Sequence, residues 1–94
     1  MNPDTLPEEL ESLVEEMARH VHDTWMRRRM AEGWTHGPRR DDRLLTHPCL
    51  TSYDSLPENE KDFDRATARA TVNFILSNGF SLIPSGKHVP RTIS

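Results

Sequence analysis

The sequence predicts a mainly α domain in which two principal helices flank a long, ordered, irregular loop with room for short β-strands. Three observations support this class. Two segments repeat apolar residues at helical spacing, each begins with a string typical of a helix start, and about 23 residues that suit neither helix separate them. The chain has 94 residues, the length of one small domain. We expect a single domain over residues 1–94, with its core at about 6–83 and a tail at 84–94.

The first predicted helix covers residues 8–31. Thr5 followed by Glu8 is typical of a capping box, and Gly33 marks the end of the helix. Acidic residues fill its first half and arginines its last turn, an order that suits the helix dipole. One apolar stripe runs along it, formed by Leu10, Val14, Met17, Val21 and Trp25.

The second predicted helix covers residues 56–78. Ser55 followed by Glu58 predicts another capping box, and Gly79 predicts a Schellman stop with Phe80 lying back against Ile75. A short extended segment follows at 80–83. The apolar stripe of this helix consists of Phe63, Ala66, Ala70 and Phe74, with Thr67 and Ile75 alongside. We expect the core between the helices to consist of Trp25, Met17, Val21, Phe63, Ala70 and Phe74.

Composition and charge exclude several classes of protein. The net charge is −3, and seven of the twelve Lys and Arg residues lie within residues 19–43 rather than along a broad basic face, so a general nucleic-acid binder is not expected. No run approaches the roughly 20 apolar residues of a membrane helix. The single cysteine excludes an internal disulfide and suits a reducing compartment, so we expect a cytoplasmic protein.

The loop at 33–55 holds the residues that suggest a binding site. Trp34 offers a flat face for a ring or base, and Arg39 and Arg40 offer guanidinium forks for a phosphate or carboxylate. Two structural alternatives remain open. Trp34 is also suited to fill the gap between the helices, and the arginines are also suited to pair with the adjacent Asp41 and Asp42. The expected anchors of the loop are Trp34, Leu44, Leu45, Leu50 and Tyr53.

The sequence shows no clear arrangement of residues for metal binding or catalysis. His20 and His22 differ by about 200° around a helix, so they cannot chelate one ion together. His47 is better explained as a structural histidine that bonds nearby backbone or an acid. Cys49 lacks an identifiable orienting partner, and there is no glycine-rich phosphate loop. We therefore expect a non-enzymatic protein with no metal and no cofactor.

Five strings in the sequence carry a family resemblance. VHDTW, EGWTHGPRRDD, HPCL, the tyrosine of TSY and LPENEK keep rare residues in a specific order between about Val21 and Phe80. In this respect the chain resembles the repeat domain of ryanodine receptors, the RyR domain, which also occurs in prokaryotic proteins. The resemblance implies a compact two-helix module, often found in pairs and distant from any pore. Some repeats of the receptors are implicated in adenine-nucleotide binding and others in phosphoregulation.

Two positions depart from the family pattern. His36 stands where the family usually has tyrosine, and Ser52 where it often has proline. If the usual tyrosine contacts a ligand, His36 changes which ligand is held or makes its binding depend on pH. No pore segment is present, so channel activity is not implied.

The leading hypothesis is a module that senses an anionic, nucleotide-like small molecule. Trp34 would stack on the ligand and Arg39 and Arg40 would neutralise its charge. The expected polar contacts are His36, Asp41 and Tyr53. The alternative is a protein-interaction or self-association module without a small-molecule ligand, whose partner is a second copy of the chain or another protein.

Overall fold

A computed structural model of the chain describes residues 6–84. Helix α1 spans Glu8–Ala31 and helix α2 spans Glu58–Ser77. Between them, strands β1 (Thr35–His36) and β2 (Thr46–His47) pair in parallel, with Thr35 opposite Thr46 and His36 opposite His47. A 3-10 turn at Tyr53–Ser55 leads into α2. This is the predicted mainly α architecture, with two helices and an ordered loop that contains short strands. The predicted tail beyond Pro84 lies outside the described residues.

Both helices end in the way that the sequence predicts. Gly33 has φ 97°, its N–H donates to the carbonyl of Met30, and the Trp34 N–H donates to the carbonyl of Arg29 at 3.0 Å. These are the two bonds of a Schellman motif. Gly79 has φ 89° and the N–H of Phe80 donates to the carbonyl of Ile75 at 3.4 Å. The side chain of Phe80 nevertheless remains exposed.

The predicted capping box at Ser55 is wrong. Pro57 occupies the N-cap position of α2, and no side chain bonds the free N–H groups there. The Ser55 hydroxyl lies within the preceding 3-10 turn and accepts a hydrogen bond from Ser52 at 3.0 Å. The hydroxyl therefore bonds within the turn and does not cap the helix. For α1 the N-cap position is Pro7, and Thr5 lies outside the described residues.

The core lies where the two helices and the end of the linker meet. From α1 it receives Val14 and Ala18, and from α2 it receives Ala68 and Val72. Tyr53 is 2% exposed. Leu6 and Leu56 complete the buried cluster, and Leu10, Met17, Cys49, Leu76 and Leu82 pack against it.

The predicted core is wrong in most of its members. Val21 is half exposed, Ala70 is exposed, and Phe63 and Phe74 are 70% and 69% exposed. Met17 packs at the edge of the core and Trp25 is half-buried. Helix α2 therefore has two apolar faces, and the face with the larger side chains lies outside the core.

Arginines on the inner face of α2 explain this orientation. Arg65 forks onto the carboxylate of Glu15, with Nε donating at 2.6 Å. One turn later, Arg69 forks onto Glu11 at 2.7 Å and 3.2 Å. These bonds hold the pKa values of both glutamates below their usual range. Long arginine stems cover apolar surface while their heads pair with acids, so a face that looks polar in the sequence lies in the helix interface.

A matched pair of substitutions tests this arrangement. Val72→Ala should lower the free energy of unfolding by roughly 2 kcal/mol, because two buried methyl groups are lost and a cavity remains. Phe74→Ala should change it by no more than about 0.5 kcal/mol, because the ring is mostly in solvent. Urea unfolding followed by circular dichroism measures both. A larger loss for Phe74→Ala than for Val72→Ala would show that the exposed stripe is the core.

Candidate functional site

A row of four aromatic rings holds the linker against α1. His22 is 5% exposed, and its Nε2 donates to the carbonyl of Thr51 at 2.7 Å. Trp25 lies one turn later, with its ring centroid 5.7 Å from that of His22 and 5.1 Å from that of His47. The His47 ring in turn lies 6.5 Å from that of Trp34. The row therefore connects α1, strand β2 and the start of the loop.

His47 is a structural histidine, as the sequence predicts. Its Nδ1 accepts a hydrogen bond from the backbone N–H of Cys49 at 3.0 Å. Burial lowers the pKa of the imidazole, so the ring is neutral at neutral pH. Because Nδ1 is the acceptor, the single proton of the neutral ring is on Nε2. His47 thus presents an N–H donor on the side away from Cys49.

A pocket of about 280 Å³ opens beside this row. Its apolar walls are Val21, Trp25, Leu56 and Phe63, which come from α1, the linker and the first turns of α2. Its polar lining consists of His22, His47, Cys49, Glu60 and Asp64. A concave site with aromatic walls and a few polar groups is the usual form of a small-molecule site.

Two carboxylates one helical turn apart give the pocket its charge. Glu60 and Asp64 are both half-buried, and neither forms an ion pair with a residue in the described part of the chain. Burial raises the pKa of Asp64. Burial also raises the pKa of the Cys49 thiol, and the negative charge of Glu60 adds to that shift. Cys49 is therefore a thiol at neutral pH.

The loop arginines form a separate basic patch around Trp34. The guanidinium carbons of Arg29 and Arg40 lie 5.3 Å and 6.0 Å from the centre of the Trp34 ring, which is itself buried. Arg40 also forks onto the carboxylate of Asp42 at 2.8 Å and 3.3 Å. Arg29 likewise pairs with Glu32 at 3.1 Å. The basic patch thus consists of Arg29 and Arg40 on Trp34, each with one acidic partner, and it adjoins the pocket through His47.

The other predicted site residues have different surroundings. Asp41 Oδ1 accepts the backbone N–H groups of Arg43 and Leu44, so its carboxylate orders the loop. His36 and Arg39 are exposed. Leu44, an expected anchor of the loop, is also exposed, whereas Leu50 is buried as expected.

Tyr53 lies in the helix core rather than beside Trp34. Arg19 and Lys61 flank its ring, at 4.9 Å and 5.8 Å from the centroid. Its buried hydroxyl makes no hydrogen bond of standard geometry within residues 6–84. The Glu15 carboxylate is near enough to add to the effect of burial, which raises the pKa of Tyr53. The structure therefore groups Trp34 with Arg40 and separates Tyr53 from both.

Sequence reasoning missed the pocket, although it had singled out most of its residues. VHDTW contains Val21, His22 and Trp25, HPCL contains His47 and Cys49, and LPENEK contains Leu56 and Glu60. The feature of the sequence that could have revealed the pocket is that these three strings all belong to the pattern of one family. The arginines and aspartates of the loop resemble a ligand site more directly than these dispersed residues do.

Within 6–84, no three His, Cys, Asp or Glu side chains are placed so that they would hold a metal ion together. Neither described helix has the length and apolar character needed to span a membrane.

The model of the RyR domain family matches residues 2–84, which is most of the chain. The match includes all of the strings that suggested the resemblance, both described helices and the pocket between them.

The carboxylate of Asp64 should reduce the stability of the unliganded domain. Its raised pKa means that the folded state binds the proton more tightly than the unfolded state, so Asp64 opposes folding above its ordinary pKa of about 3.9. Asp64→Asn should therefore raise the free energy of unfolding at pH 7 by roughly 0.5 kcal/mol, because it removes a partly desolvated charge and, to a lesser extent, a like charge one turn from Glu60. The gain should vanish near pH 3, where the carboxyl is neutral in both states.

Asp62→Asn is the matched control for this measurement. Asp62 is exposed and pairs with Arg65 at 2.8 Å, so its removal should give no gain at pH 7. Urea unfolding of the three proteins at both pH values gives the comparison. A loss of stability in Asp64→Asn at pH 7 would show that the carboxylate has a stabilising partner.

Proposed function

The chain belongs to the RyR domain family, and we propose that it is a non-enzymatic module that binds an anionic, nucleotide-like ligand. The observation that supports this proposal most strongly is the meeting of two complementary surfaces at His47. On one side of this ring is the aromatic pocket, and on the other are Trp34 and the guanidinium groups of Arg29 and Arg40. A nucleotide has the same two parts, an aromatic base and an anionic phosphate.

The dimensions of the pocket favour the base as its occupant. At about 280 Å³ it is slightly smaller than the roughly 300–1,000 Å³ found for small-molecule sites. A base with its ribose and phosphate exceeds this space, so the phosphate would lie outside the rim. Trp25 and Phe63 provide faces on which a base can stack.

The basic patch is able to exchange its present partner for a phosphate. Arg40 and Asp42 pair on the surface, with 61% and 68% of their side chains exposed. A pair so exposed to water contributes little to stability, so a phosphate can replace Asp42 at small cost. Arg39 is exposed beside it, and its guanidinium forms no ion pair with the described residues. Arginine forks match phosphate oxygens well.

The chemistry of the pocket supports a binding role rather than a catalytic one. A thiol nucleophile needs a pKa lowered by its surroundings, and burial and Glu60 raise that of Cys49. His47 has one ring nitrogen occupied by the Cys49 backbone, at 3.0 Å. Neither residue is therefore arranged to activate the other.

Replacing Arg39 and Arg40 with Gln together tests the anion contact. The double variant should fold with nearly unchanged stability, and it should lose the rise in melting temperature that a nucleotide gives to the wild type. Each charge-assisted contact is worth roughly 1.5–3 kcal/mol, so affinity should fall by two or more decades. Thermal shift with the four ribonucleoside 5′-monophosphates and with inorganic phosphate provides the measurement.

The matched control is Arg27→Gln with Arg28→Gln. It removes the same charge from the end of α1, where both arginines are exposed, and should leave nucleotide binding unchanged. If no nucleotide stabilises the wild type while the Arg39/Arg40 variant loses stability, the arginines are structural and the anion proposal is wrong.

The exposed stripe of α2 favours the alternative function, a self-association module. Phe63 and Phe74 are each about 70% exposed, and the small residues Ala66 and Ala70 lie between them on the same face. Small residues allow two helices to approach closely, and flanking rings supply apolar area to bury. A second copy of the chain, antiparallel on this face, would place each phenylalanine against the other's alanines.

Sedimentation velocity over a range of concentrations tests this alternative. A dimer should appear as concentration rises, and Phe74→Ser should abolish it without changing the melting temperature of the monomer. Ser77→Ala, an exposed change on the same helix, serves as the control. A wild type that remains monomeric at all concentrations would remove self-association from consideration.

A further inference from the structure

We propose that the pocket is selective for guanine, the base that offers two neighbouring N–H donors and an adjacent acceptor on one edge. This inference rests on the proposed nucleotide function and deepens it by naming the base. It starts from a difference between two sets of acids, namely the pocket carboxylates of Glu60 and Asp64 and the acids elsewhere on the helix interface. Glu11 and Glu15 each have an arginine partner, whereas the two pocket carboxylates have no ion-pair partner within residues 6–84.

The hydrogen-bonding groups of the pocket define what it is able to bind. An ionised carboxylate only accepts hydrogen bonds. The Cys49 thiol donates to Glu60 and His22 lies near Asp64, and the remaining lone pairs of both carboxylates are open to donors on a ligand. His47 supplies the complementary group, because its Nδ1 is occupied and its Nε2 carries the proton. In residues 6–84 that Nε2 has no hydrogen-bond acceptor. The pocket therefore presents carboxylate acceptors together with one imidazole donor.

Guanine has the matching edge. Its N1–H and one N2–H are neighbouring donors suited to one carboxylate, the second N2–H remains for the other carboxylate, and its O6 beside N1 accepts a hydrogen bond. Adenine places an acceptor next to its single amino group, and cytosine does the same. Uracil places its one N–H between two acceptors. Each of these bases would leave a carboxylate without a donor or would bring an oxygen or nitrogen lone pair against it.

The apolar lining is suited to a flat ring above those polar groups. His47 packs against Trp25 with the ring planes at 73°, which fixes the indole in place. Phe63 lines the pocket while 70% of its surface remains in solvent. A base stacked on either ring would be covered on one face and would shield apolar area from water.

An occupied pocket would also relieve a repulsion present in the free domain. Glu60 and Asp64 are four residues apart on α2, so their like charges face each other at the spacing that destabilises a helix. N–H donors from a base between them would offset that repulsion. A bound base would therefore stabilise the folded state in addition to its own contacts.

Calorimetric titration with guanosine, inosine and adenosine 5′-monophosphates tests the inference. Inosine retains N1–H and lacks the N2 amino group, so it removes one donor and changes little else. Guanosine 5′-monophosphate should bind about tenfold or more tightly than the inosine compound, and adenosine 5′-monophosphate should bind more weakly than guanosine 5′-monophosphate. Glu60→Gln and Asp64→Asn should reduce that preference, whereas Asp62→Asn should retain it.

The outcomes separate this inference from the proposal on which it rests. Equal binding of all three nucleotides, unaffected by Glu60→Gln and Asp64→Asn, would overturn guanine selectivity and leave the nucleotide function in place. Tight binding of unphosphorylated guanosine that the Arg39/Arg40 variant does not weaken would support the guanine site and overturn the anion contact. No binding of any nucleotide or of guanosine would overturn both. Melting temperatures of the variants verify that each is folded.

Discussion

The hydrogen bond from His22 to the carbonyl of Thr51 is the contact on which the shape of the linker depends. It joins a buried ring on α1 to the backbone just before the 3-10 turn, at 2.7 Å. A buried polar group without a partner costs about 1–3 kcal/mol, so the ring and the carbonyl each require the other. With the linker held there, Trp25 lies between His22 and His47, and the pocket forms along their edges.

Charge is distributed around this row in two opposite groups. Glu60 and Asp64 enter the pocket from the first turns of α2, whereas Arg29 and Arg40 lie on Trp34 at the other end of the row, each in a surface ion pair with Glu32 or Asp42. His47 stands between them and is kept neutral by burial. The net charge of −3 does not reveal this separation of acidic and basic groups, because it arises only when the chain folds. It explains why the domain suits a ligand with an aromatic end and an anionic end better than a simple anion.

The sequence predicted the elements of the fold better than their orientation. Glycines at 33 and 79 located both helix ends, because a left-handed residue is needed there. The apolar stripe predicted for α2 failed because this helix has two apolar faces. Its inner face is marked by Arg65 and Arg69, whose acidic partners Glu15 and Glu11 lie 50 and 58 residues away in the sequence. The same limit applies to the site. Trp34 and Arg40 were found from their loop, whereas the pocket combines residues from three segments that only tertiary packing brings together.

The two indole groups offer the most direct test of a site with two parts around one ring row. Trp25 and Trp34 are the only tryptophans in the chain, so an NMR spectrum contains one indole N–H signal for each part. In a titration with guanosine 5′-monophosphate, both signals should move and give the same dissociation constant, whereas inorganic phosphate should move that of Trp34 alone. If the nucleotide moves neither signal, or moves one and leaves the other unchanged, then the pocket and the basic patch do not form one site.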